Sequence, residues 1–311
     1  MPAGPSPAPP GAEQPPFGPP LFGTMAIIGP GLIGSSLLRR ARTSGWLAEK
    51  LVAIDHAPQV LARVRELGLA DMVTSSLAEG VREADLVILC VPVGAVRETA
   101  LAAIAHMKPG ALLSDVASVR TTLGPEITAH LPPDIAYVPV HPMAGTEHSG
   151  PDAGLADLFE NRWCLVVPPE GTPAEAIRKV EAFWQRCGAR TREVTDSYHD
   201  QICAMVSHLP HFLAFTICET ADRLSGDLRS DVLEFAASGF RDFTRIAASD
   251  PVMWRDIFLA NRDILLATLE RFQTEVDKMA TALREEDEQA IMTRLEHGRH
   301  IRKSLIANRQ A

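Results

Sequence analysis

A glycine-rich motif near the start of the chain is the first group of residues whose spacing suits a defined chemistry. Gly29-Pro-Gly31-Leu32-Ile33-Gly34 follows an apolar stretch, Thr24 to Ile28, and opens a helical stretch that runs to about Thr43. In such a motif the first glycine makes a tight turn, the second lets the backbone approach a diphosphate, and the third lets helix and strand pack closely. The helix N-terminus adds unpaired N–H groups and a partial positive charge. The motif predicts a dinucleotide-binding turn.

An acidic residue at the end of the next predicted strand indicates which dinucleotide binds. Asp55 lies at about the 20-residue offset expected for the carboxylate that hydrogen-bonds the adenosine ribose. His56, Ala57 and Pro58 follow it, so no arginine stands ready for a 2′-phosphate. The pattern favours NAD over NADP. At the carboxyl end of the predicted strand Asp85–Val91, Val91 and Pro92 turn the chain over the same site. The predicted cofactor contacts are therefore Gly29, Gly31, Leu32, Ile33, Gly34, Asp55, Val91 and Pro92.

Polar side chains that could move a proton or bind an anion follow two later strands. Ser118 and Arg120 come after the predicted strand Ala111–Asp115, and His141 begins a glycine-containing loop after the predicted strand Ile135–Pro139. The carboxyl ends of parallel strands form the ligand edge of an open sheet. A neutral imidazole at that edge can accept a proton near neutral pH. His141 is therefore the candidate catalytic base, with a satisfied structural histidine as the alternative.

Apolar runs separated by helical stretches must position these residues. Such runs are typical of strands buried in a doubly wound parallel sheet. The predicted strands are Thr24–Ile28, Leu51–Asp55, Asp85–Val91, Ala111–Asp115, Ile135–Pro139, Arg162–Val167 and Arg190–Val194. We predict a sheet domain over residues 23–195, preceded by a proline-rich, disordered tail over residues 1–22.

From Ser197 onward apolar residues recur every three or four positions, which predicts an all-helical domain over residues 196–311. Asp250 and Pro251 mark the start of a long helix, and a last helix covers about Asp287 to Ile306. An apolar stripe along the long helix favours a homodimer, although packing within one domain is an alternative. The stripe comprises Leu265, Leu269, Phe272, Val276, Met279 and Leu283.

Composition excludes several other classes of function. The formal net charge is −9, which disfavours a nucleic acid or an anionic membrane as partner. No apolar run approaches the length of a membrane helix, and the tail has neither the apolar core of a secretory signal nor an arginine. The five cysteines form no CxxC pair, and no HExxH motif occurs, so reduced thiols, no metal and a cytoplasmic location are expected.

Three blocks of sequence together resemble the prephenate/arogenate (cyclohexadienyl) dehydrogenase family. They are HPMAGTEHSG from His141, SHLPH from Ser207, and GFRDFTRIA with the following SDPVMWRD from Gly239. Their order and spacing are far more specific than the glycine motif, and the resemblance covers about Thr24 to the C-terminus. It implies a Rossmann-type domain, a helical dimerisation domain, and oxidative decarboxylation of prephenate or arogenate with hydride transfer to NAD in tyrosine biosynthesis.

The resemblance also implies roles for individual residues. His141 matches the catalytic histidine, and Ser118 matches the serine that orients the substrate hydroxyl and that histidine. Arg245 matches the arginine that pairs with a substrate carboxylate; a salt bridge with Asp242 or Asp250 is its alternative. The other implied substrate contacts are His211, which we expect to be the closer of two pocket histidines, His208, and Glu147, which helps to close the pocket.

Two other classes of function share parts of this pattern. A β-hydroxy-acid dehydrogenase of similar architecture uses a lysine in its helical domain, but no lysine occurs between Ser197 and Asp277. A non-catalytic NAD sensor keeps the glycines but need not retain His141, Ser118 and Arg245 together. The choice between prephenate and arogenate stays open, as does an enzyme that accepts both.

Overall fold

Six parallel strands form the main sheet of the computed structural model, which describes residues 18–146, 148–224 and 226–307. Their order across the sheet is 3-2-1-4-5-6, which is the order of a Rossmann-type doubly wound sheet. The predicted fold class is thereby confirmed. The first strand begins two residues earlier than predicted, and the third was not predicted. The strands are β1 Phe22–Ile28, β2 Ala48–Ile54, β3 Met72–Thr74, β4 Leu86–Leu89, β5 Leu112–Asp115 and β6 Ala136–Tyr137.

Helices cover both faces of this sheet because its strands are apolar on both sides. Along β1, Met25 and Ile27 belong to one buried cluster, while Ala26 and Ile28 belong to another. Such continuous burial is what a parallel sheet between two helical layers requires. The crossover helices are α1 Leu32–Ser44, α2 Pro58–Glu66, α3 Leu77–Val81, α4 Val93–Ile104 and α5 Leu123–Thr128.

A second, three-stranded sheet holds the last strands of the α/β region. It contains β7 Val140–Pro142, β8 Trp163–Val166 and β9 Arg190–Glu193, with α6 Ala174–Arg186 between the last two. β7 pairs antiparallel with β8, which pairs parallel with β9. The sequence predicted the last two strands without separating them from the main sheet and did not predict β7. Val167 donates its N–H to Pro139 O at 3.0 Å, so the chain leaves the main sheet at this proline.

Helices make up the rest of the described chain. A helical run from residue 196 to residue 222 contains α7 Asp196–Cys203, a π-helical turn Ala204–His208 and α8 Leu209–Asp222. Short helices follow, namely α9 Gly226–Glu234, α10 Ser238–Thr244 and a 3₁₀ turn Arg245–Ala248. The last three are α11 Pro251–Ala260, α12 Arg262–Arg284 and α13 Glu288–Ala307.

The predicted long helix after Asp250 is two helices. Asp250 caps α11 as expected, since its Oδ1 accepts the N–H groups of Val252 at 2.7 Å and Met253 at 3.2 Å. Asn261 then leaves the helical conformation, with φ −108° and ψ 29°. Its side-chain amide is engaged at 3.0 Å by the backbone carbonyl of Asp200, so this residue serves a tertiary contact that helical spacing could not reveal.

The run Asp196–Asp222 is long and apolar enough to span a membrane by length and composition alone. Three polar residues within it, His199, Asp200 and His208, are nevertheless fully buried and hydrogen-bonded to other parts of the protein. These contacts attach one side of the run to the rest of the protein. The expectation of no membrane partner stays a prediction.

The described chain forms two compact units, the first ending at Asn261 and the second beginning at Arg262. The second unit consists of α12 and α13, which pack on each other. The predicted domain boundary near Thr195 stays a prediction. Several large apolar side chains of this two-helix unit are between two-fifths and two-thirds exposed, including Leu266, Val276, Leu283, Met292, Leu295, Ile301 and Leu305.

Candidate functional site

The glycine turn between β1 and α1 leaves open space in which a ligand could approach the protein backbone. Gly29 has φ +81°, and a Cβ there would lie 2.8 Å from Cys90 O. A Cβ on Gly34 would lie 2.6 Å from Gly29 O, whereas one on Gly31 would meet nothing within 4 Å. Helix α1 begins at Leu32, followed by Ile33. Among the described residues, no side chain caps its N-terminus. The turn therefore has the shape and the free N–H groups of a diphosphate cradle.

The other predicted cofactor contacts surround this turn at the carboxyl edge of the sheet. Asp55 directly follows β2, and its Oδ1 accepts the N–H of Ala57 at 2.8 Å. Within the described chain its second carboxylate oxygen accepts no hydrogen bond. Val91 lies against Gly29, and Pro92 precedes the first residue of α4. The arrangement leaves Asp55 able to accept hydrogen bonds from a ribose.

A buried ion pair stands at the same edge, where β5 ends. Arg120 bonds both carboxylate oxygens of Asp115, at 2.7 and 3.0 Å, and both side chains are essentially inaccessible. Tyr137 O–H also donates to Asp115. The guanidinium further donates to the carbonyls of Ala117 and, at 3.0 Å, Val140. Arg120 thus ties the loop after β5 to β7, the strand that contains His141.

The backbone of that loop is held in turn by a carboxylate from α7. Asp200 accepts the backbone N–H of Arg120 at 2.9 Å and that of Thr121 at 2.8 Å. The Thr121 hydroxyl donates to it at 2.6 Å. Burial by itself would raise the pKa of Asp200, but hydrogen bonds from His199 and Thr121 lower it below its usual value. Asp200 is therefore an ionised, buried acceptor that joins the helical region to the sheet.

His141 faces His199 and Cys203 of α7. Its Nδ1 lies 2.9 Å from His199 Nε2, and His199 Nδ1 lies 2.7 Å from Asp200 Oδ1. Cys203 Sγ is 3.5 Å from both His141 Nδ1 and His199 Nε2. Burial lowers the pKa of His141 well below its usual value, and the positive charges available on His199, Arg120 and His208 lower it further. His141 is consequently a neutral imidazole at neutral pH, the form a general base needs.

His208 is also buried and neutral. Burial is the largest cause that lowers its pKa to about 4. Asn261 Nδ2 lies 3.0 Å from the carbonyl of Asp200, which can only accept, and 3.1 Å from His208 Nδ1. The amide nitrogen therefore donates to both, and Nδ1 of His208 is an acceptor. Its Nε2 then bears the hydrogen, and this buried group has no hydrogen-bond partner in the described chain.

His211 and Arg245 form a neighbouring group with Trp254 of α11. The His211 ring stacks on the Trp254 indole, with ring centroids 3.6 Å apart and 20° between the planes. Burial lowers the pKa of His211, and the positive charge of Arg245 lowers it further. Arg245 is exposed at the start of the 3₁₀ turn. Trp254 also meets His208 edge-on at 6.3 Å, so it lies between the two pocket histidines.

Two predicted site residues are not joined to this network. Ser118 is partly buried in the loop after β5, and no hydrogen bond of the described chain joins it to His141. Glu147 lies outside the described residues. The loop that contains it is fastened beyond that point to the first two helices. Leu155 N donates to Ser36 Oγ at 2.9 Å, and Arg63 of α2 bonds Asp152 at 2.7 Å.

Ligand atoms of His141, His199 and Cys203 lie within 4.8 Å of one another, a spacing that a metal ion could bridge. Sequence spacing did not reveal this trio because its first member belongs to β7 and the others to α7. The hydrogen bond between the two rings already uses two of the three atoms. The expectation of no metal stays a prediction. All five cysteines are free, as expected.

Both halves of the chain match models of known domains. Residues 39–193 match the nucleotide-binding domain of prephenate dehydrogenase, and residues 195–297 match its dimerization domain. The chain is 38% identical to the cyclohexadienyl dehydrogenase of Zymomonas mobilis over 288 residues, which cover 92% of this chain and 96% of that relative. The chain belongs to the prephenate dehydrogenase family. The family membership expected from the three sequence blocks is confirmed.

Solved structures of the prephenate dehydrogenase family share this fold over nearly the whole chain. Prephenate dehydrogenase from A. aeolicus, solved with hydroxyphenyl propionate and NAD⁺, has a TM-score of 0.85 and 30% identity. That match covers 91% of this chain and 98% of the other. Arogenate dehydrogenase from Synechocystis has a TM-score of 0.77 and 25% identity, covering 90% and 99%. The two solved relatives thus bear the names of the two substrates left open above.

Sequence reasoning missed the residues that support His141 in this family member. His199, Asp200 and Asn261 were not singled out, and Arg120 was noted only for its charge. A usable signal existed, because His199-Asp200 is a polar pair within an apolar helix. Buried polar groups of this kind need partners.

We expect that removing one partner of the buried ion pair destabilises the protein more than removing one partner of a surface pair. Replacing Arg120 with Leu should lower the free energy of unfolding by about 3–5 kcal/mol, because the buried carboxyl group of Asp115 would lose its cationic partner. Urea unfolding followed by circular dichroism measures the change. The control is Arg63→Leu, which removes the exposed partner of Asp152 and should leave the urea midpoint nearly unchanged. Equal midpoints for the two variants would contradict the interpretation.

Proposed function

We propose that this protein is an NAD-dependent prephenate/arogenate (cyclohexadienyl) dehydrogenase of tyrosine biosynthesis. It oxidatively decarboxylates prephenate to 4-hydroxyphenylpyruvate, arogenate to tyrosine, or both. The observation that carries the proposal is the position of His141, a half-buried neutral base tied to the carboxyl edge of the sheet, in a chain that matches both domains of the family.

The cofactor assignment is supported by the cradle at the glycine turn. Gly31 leaves open space, the start of α1 has free N–H groups, and Asp55 has a free carboxylate oxygen for the ribose. These features fit the diphosphate and adenosine ribose of NAD and disfavour a 2′-phosphate. When bound, NAD⁺ supplies the acceptor for the hydride.

His141 handles the proton of the reaction. It accepts the hydroxyl proton of the cyclohexadienol as hydride leaves the carbinol carbon. Loss of CO₂ from the ring leaves an electron pair that makes the ring aromatic, and His141 returns the proton to the resulting phenolate oxygen. Ser118, which is partly buried in the loop after β5, orients the hydroxyl. Its position is fixed by the bonds of Arg120 on the same loop.

Substrate carboxylates are bound by the helical region. Arg245 pairs with one of them, where its planar fork suits bidentate contact. His211, whose pKa is lowered by burial and further by the charge of Arg245, lines the pocket together with His208. The unpartnered Nε2–H of His208 is a suitable donor to a carboxylate or a keto oxygen. Glu147 helps to close the pocket. An acidic residue that faces the side chain of the substrate would favour the amine of arogenate over the keto group of prephenate.

The partner of the protein is a second copy of the chain. The apolar side chains exposed along α12 and α13 need cover, and the matched dimerization domain spans α12 and the first part of α13. The molecule acts in the cytoplasm on a small-molecule substrate, without nucleic acid or membrane. Its net charge of −9 and its five free thiols support this location.

The reaction is tested by steady-state NADH formation with prephenate and arogenate in parallel, each repeated with NADP⁺. We expect turnover of at least one substrate with NAD⁺ and much less with NADP⁺. His141→Asn keeps the size of the side chain but lacks the base, so kcat should fall by about 10²–10⁴-fold. No turnover of either substrate by protein that binds NAD⁺ would refute the proposed function.

The cofactor cradle is tested with two alanine substitutions. Gly31→Ala should weaken NAD⁺ binding at least tenfold, measured by calorimetry, while leaving thermal stability unchanged, because its Cβ would enter only the open space. Gly34→Ala is the contrasting variant. It should destabilise the fold by about 1–3 kcal/mol, because its Cβ would lie 2.6 Å from Gly29 O. Unchanged NAD⁺ affinity in Gly31→Ala would contradict the assignment of the glycine turn as the diphosphate-binding site.

The dimer is tested by light scattering after gel filtration. A mass near twice the 33.7 kDa of the chain is expected. Val276→Asp places a charge on the exposed apolar face of α12 and should shift the protein toward monomer. Thr274→Asp, on the polar side of the same helix, is the matched control and should leave the mass unchanged. A monomeric wild-type protein would exclude this assembly.

A further inference from the structure

We propose that His199 and Asp200 are positioning residues that hold His141 in the one tautomer able to accept the substrate proton. The inference rests on the proposed function, because it assigns residues that act on the base of that reaction. It concerns a chain of three side chains from α7 and β7, in which each hydrogen bond determines the direction of the next.

Asp200 is the fixed end of the chain. Its carboxylate accepts hydrogen bonds from two backbone N–H groups and one hydroxyl of the loop at Arg120 and Thr121. An ionised carboxylate can only accept. His199 Nδ1, 2.7 Å from Asp200 Oδ1, must therefore bear a hydrogen and donate it. Asp200, which can only accept a hydrogen bond, therefore determines which nitrogen of His199 bears the hydrogen.

The neutral charge of His199 then determines its other nitrogen. Burial and the charge of Arg120 lower its pKa, against the opposing effect of Asp200, and the net pKa lies below the usual value. A neutral imidazole with hydrogen on Nδ1 has a lone pair on Nε2. This lone pair faces His141 Nδ1 at 2.9 Å. His141 must therefore donate from Nδ1.

The consequence is a free lone pair on His141 Nε2. A neutral histidine has one ring hydrogen, and the chain places it on Nδ1. Nε2 is then ready to accept the hydroxyl proton in every molecule, with no fraction lost to the wrong tautomer. The ionisable groups around His141 are Arg120, His199, His208, Cys203 and Asp200.

Cys203 provides the control because it touches both rings without belonging to the chain. Burial raises the pKa of its thiol to about 12, so it is uncharged. Its sulfur is also the third atom of the spacing that a metal could bridge. A metal on these atoms would replace the hydrogen between the two histidines, so the metal and the tautomer chain are mutually exclusive.

The main test is the kinetics of His199→Gln with whichever substrate the wild-type enzyme turns over. We expect kcat to fall by about 100-fold with KM changed less than threefold, and the acid limb of the kcat/KM profile to move to higher pH. In the acid range His199 also takes up a proton, and its positive charge then lowers the pKa of His141. Removing that charge raises the pKa of His141 and moves the limb to higher pH. Cys203→Ala should retain kcat within about threefold. An unchanged kcat and pH profile in His199→Gln would overturn the proposal.

A double variant separates action through His141 from damage to the fold. In a His141→Asn background, His199→Gln should cause no further loss, because its target is already absent. An additive second loss would show a merely structural role. An inactive wild-type enzyme would refute the proposed function instead, so the two failures are distinguishable.

The tautomer is read directly in wild-type protein labelled with ¹⁵N-histidine. Long-range ¹H–¹⁵N spectra should show His141 with hydrogen on Nδ1, which supports the proposal even if His199→Gln fails to fold. Hydrogen on Nε2 would overturn it. Stoichiometric zinc in the purified protein that is lost in Cys203→Ala would overturn it as well; absence of metal in both proteins is the expected result.

Discussion

The geometry of the site depends on the burial of one positive charge, that of Arg120, between two carboxylates. Its guanidinium neutralises Asp115 at the end of β5, while its own backbone N–H is held by Asp200 of α7. A buried charge of this kind tolerates little displacement, because each lost hydrogen bond leaves a desolvated group. The guanidinium also fixes Val140, the residue before His141. Arg120 therefore joins three parts of the structure: the main sheet and the small second sheet through its guanidinium, and the helical region through its backbone N–H.

That cation also contributes to keeping the histidines around it neutral. Its charge lowers the pKa of both His141 and His199, in addition to the effect of burial. Asp200 stays ionised because it accepts several hydrogen bonds. Arg120 is thus a structural residue with an electrostatic effect, since it favours a neutral base without touching the base itself. Lysine would retain the charge here, but it could not make the same forked contact with Asp115.

The parts of this architecture that were predictable are those written in local sequence. The glycine turn, Asp55 and the apolar strands follow from periodicity and short spacing, and the cap at Asp250 follows from one residue type before a proline. The break at Asn261 was not predictable, because the amide is used by a carbonyl and a histidine more than fifty residues away. His199 and Asp200 were missed for the same reason. Their role exists only once α7 is placed against β7 and the loop after β5.

Two histidines of the site end with opposite hydrogen-bonding roles, and both roles originate at Asp200. Through its carboxylate and His199, Asp200 leaves His141 with a lone pair on Nε2. Through its backbone carbonyl and Asn261, it leaves His208 with a hydrogen on Nε2. The pKa of each ring is lowered, chiefly by loss of contact with water, so neither ring is protonated at neutral pH in the resting protein. Along the helical run, Asp200 precedes the π-helical turn and His208 ends it, so the turn separates these two residues. An acceptor for a hydroxyl proton and a donor for a substrate oxygen are thus set by one residue that need not contact the substrate.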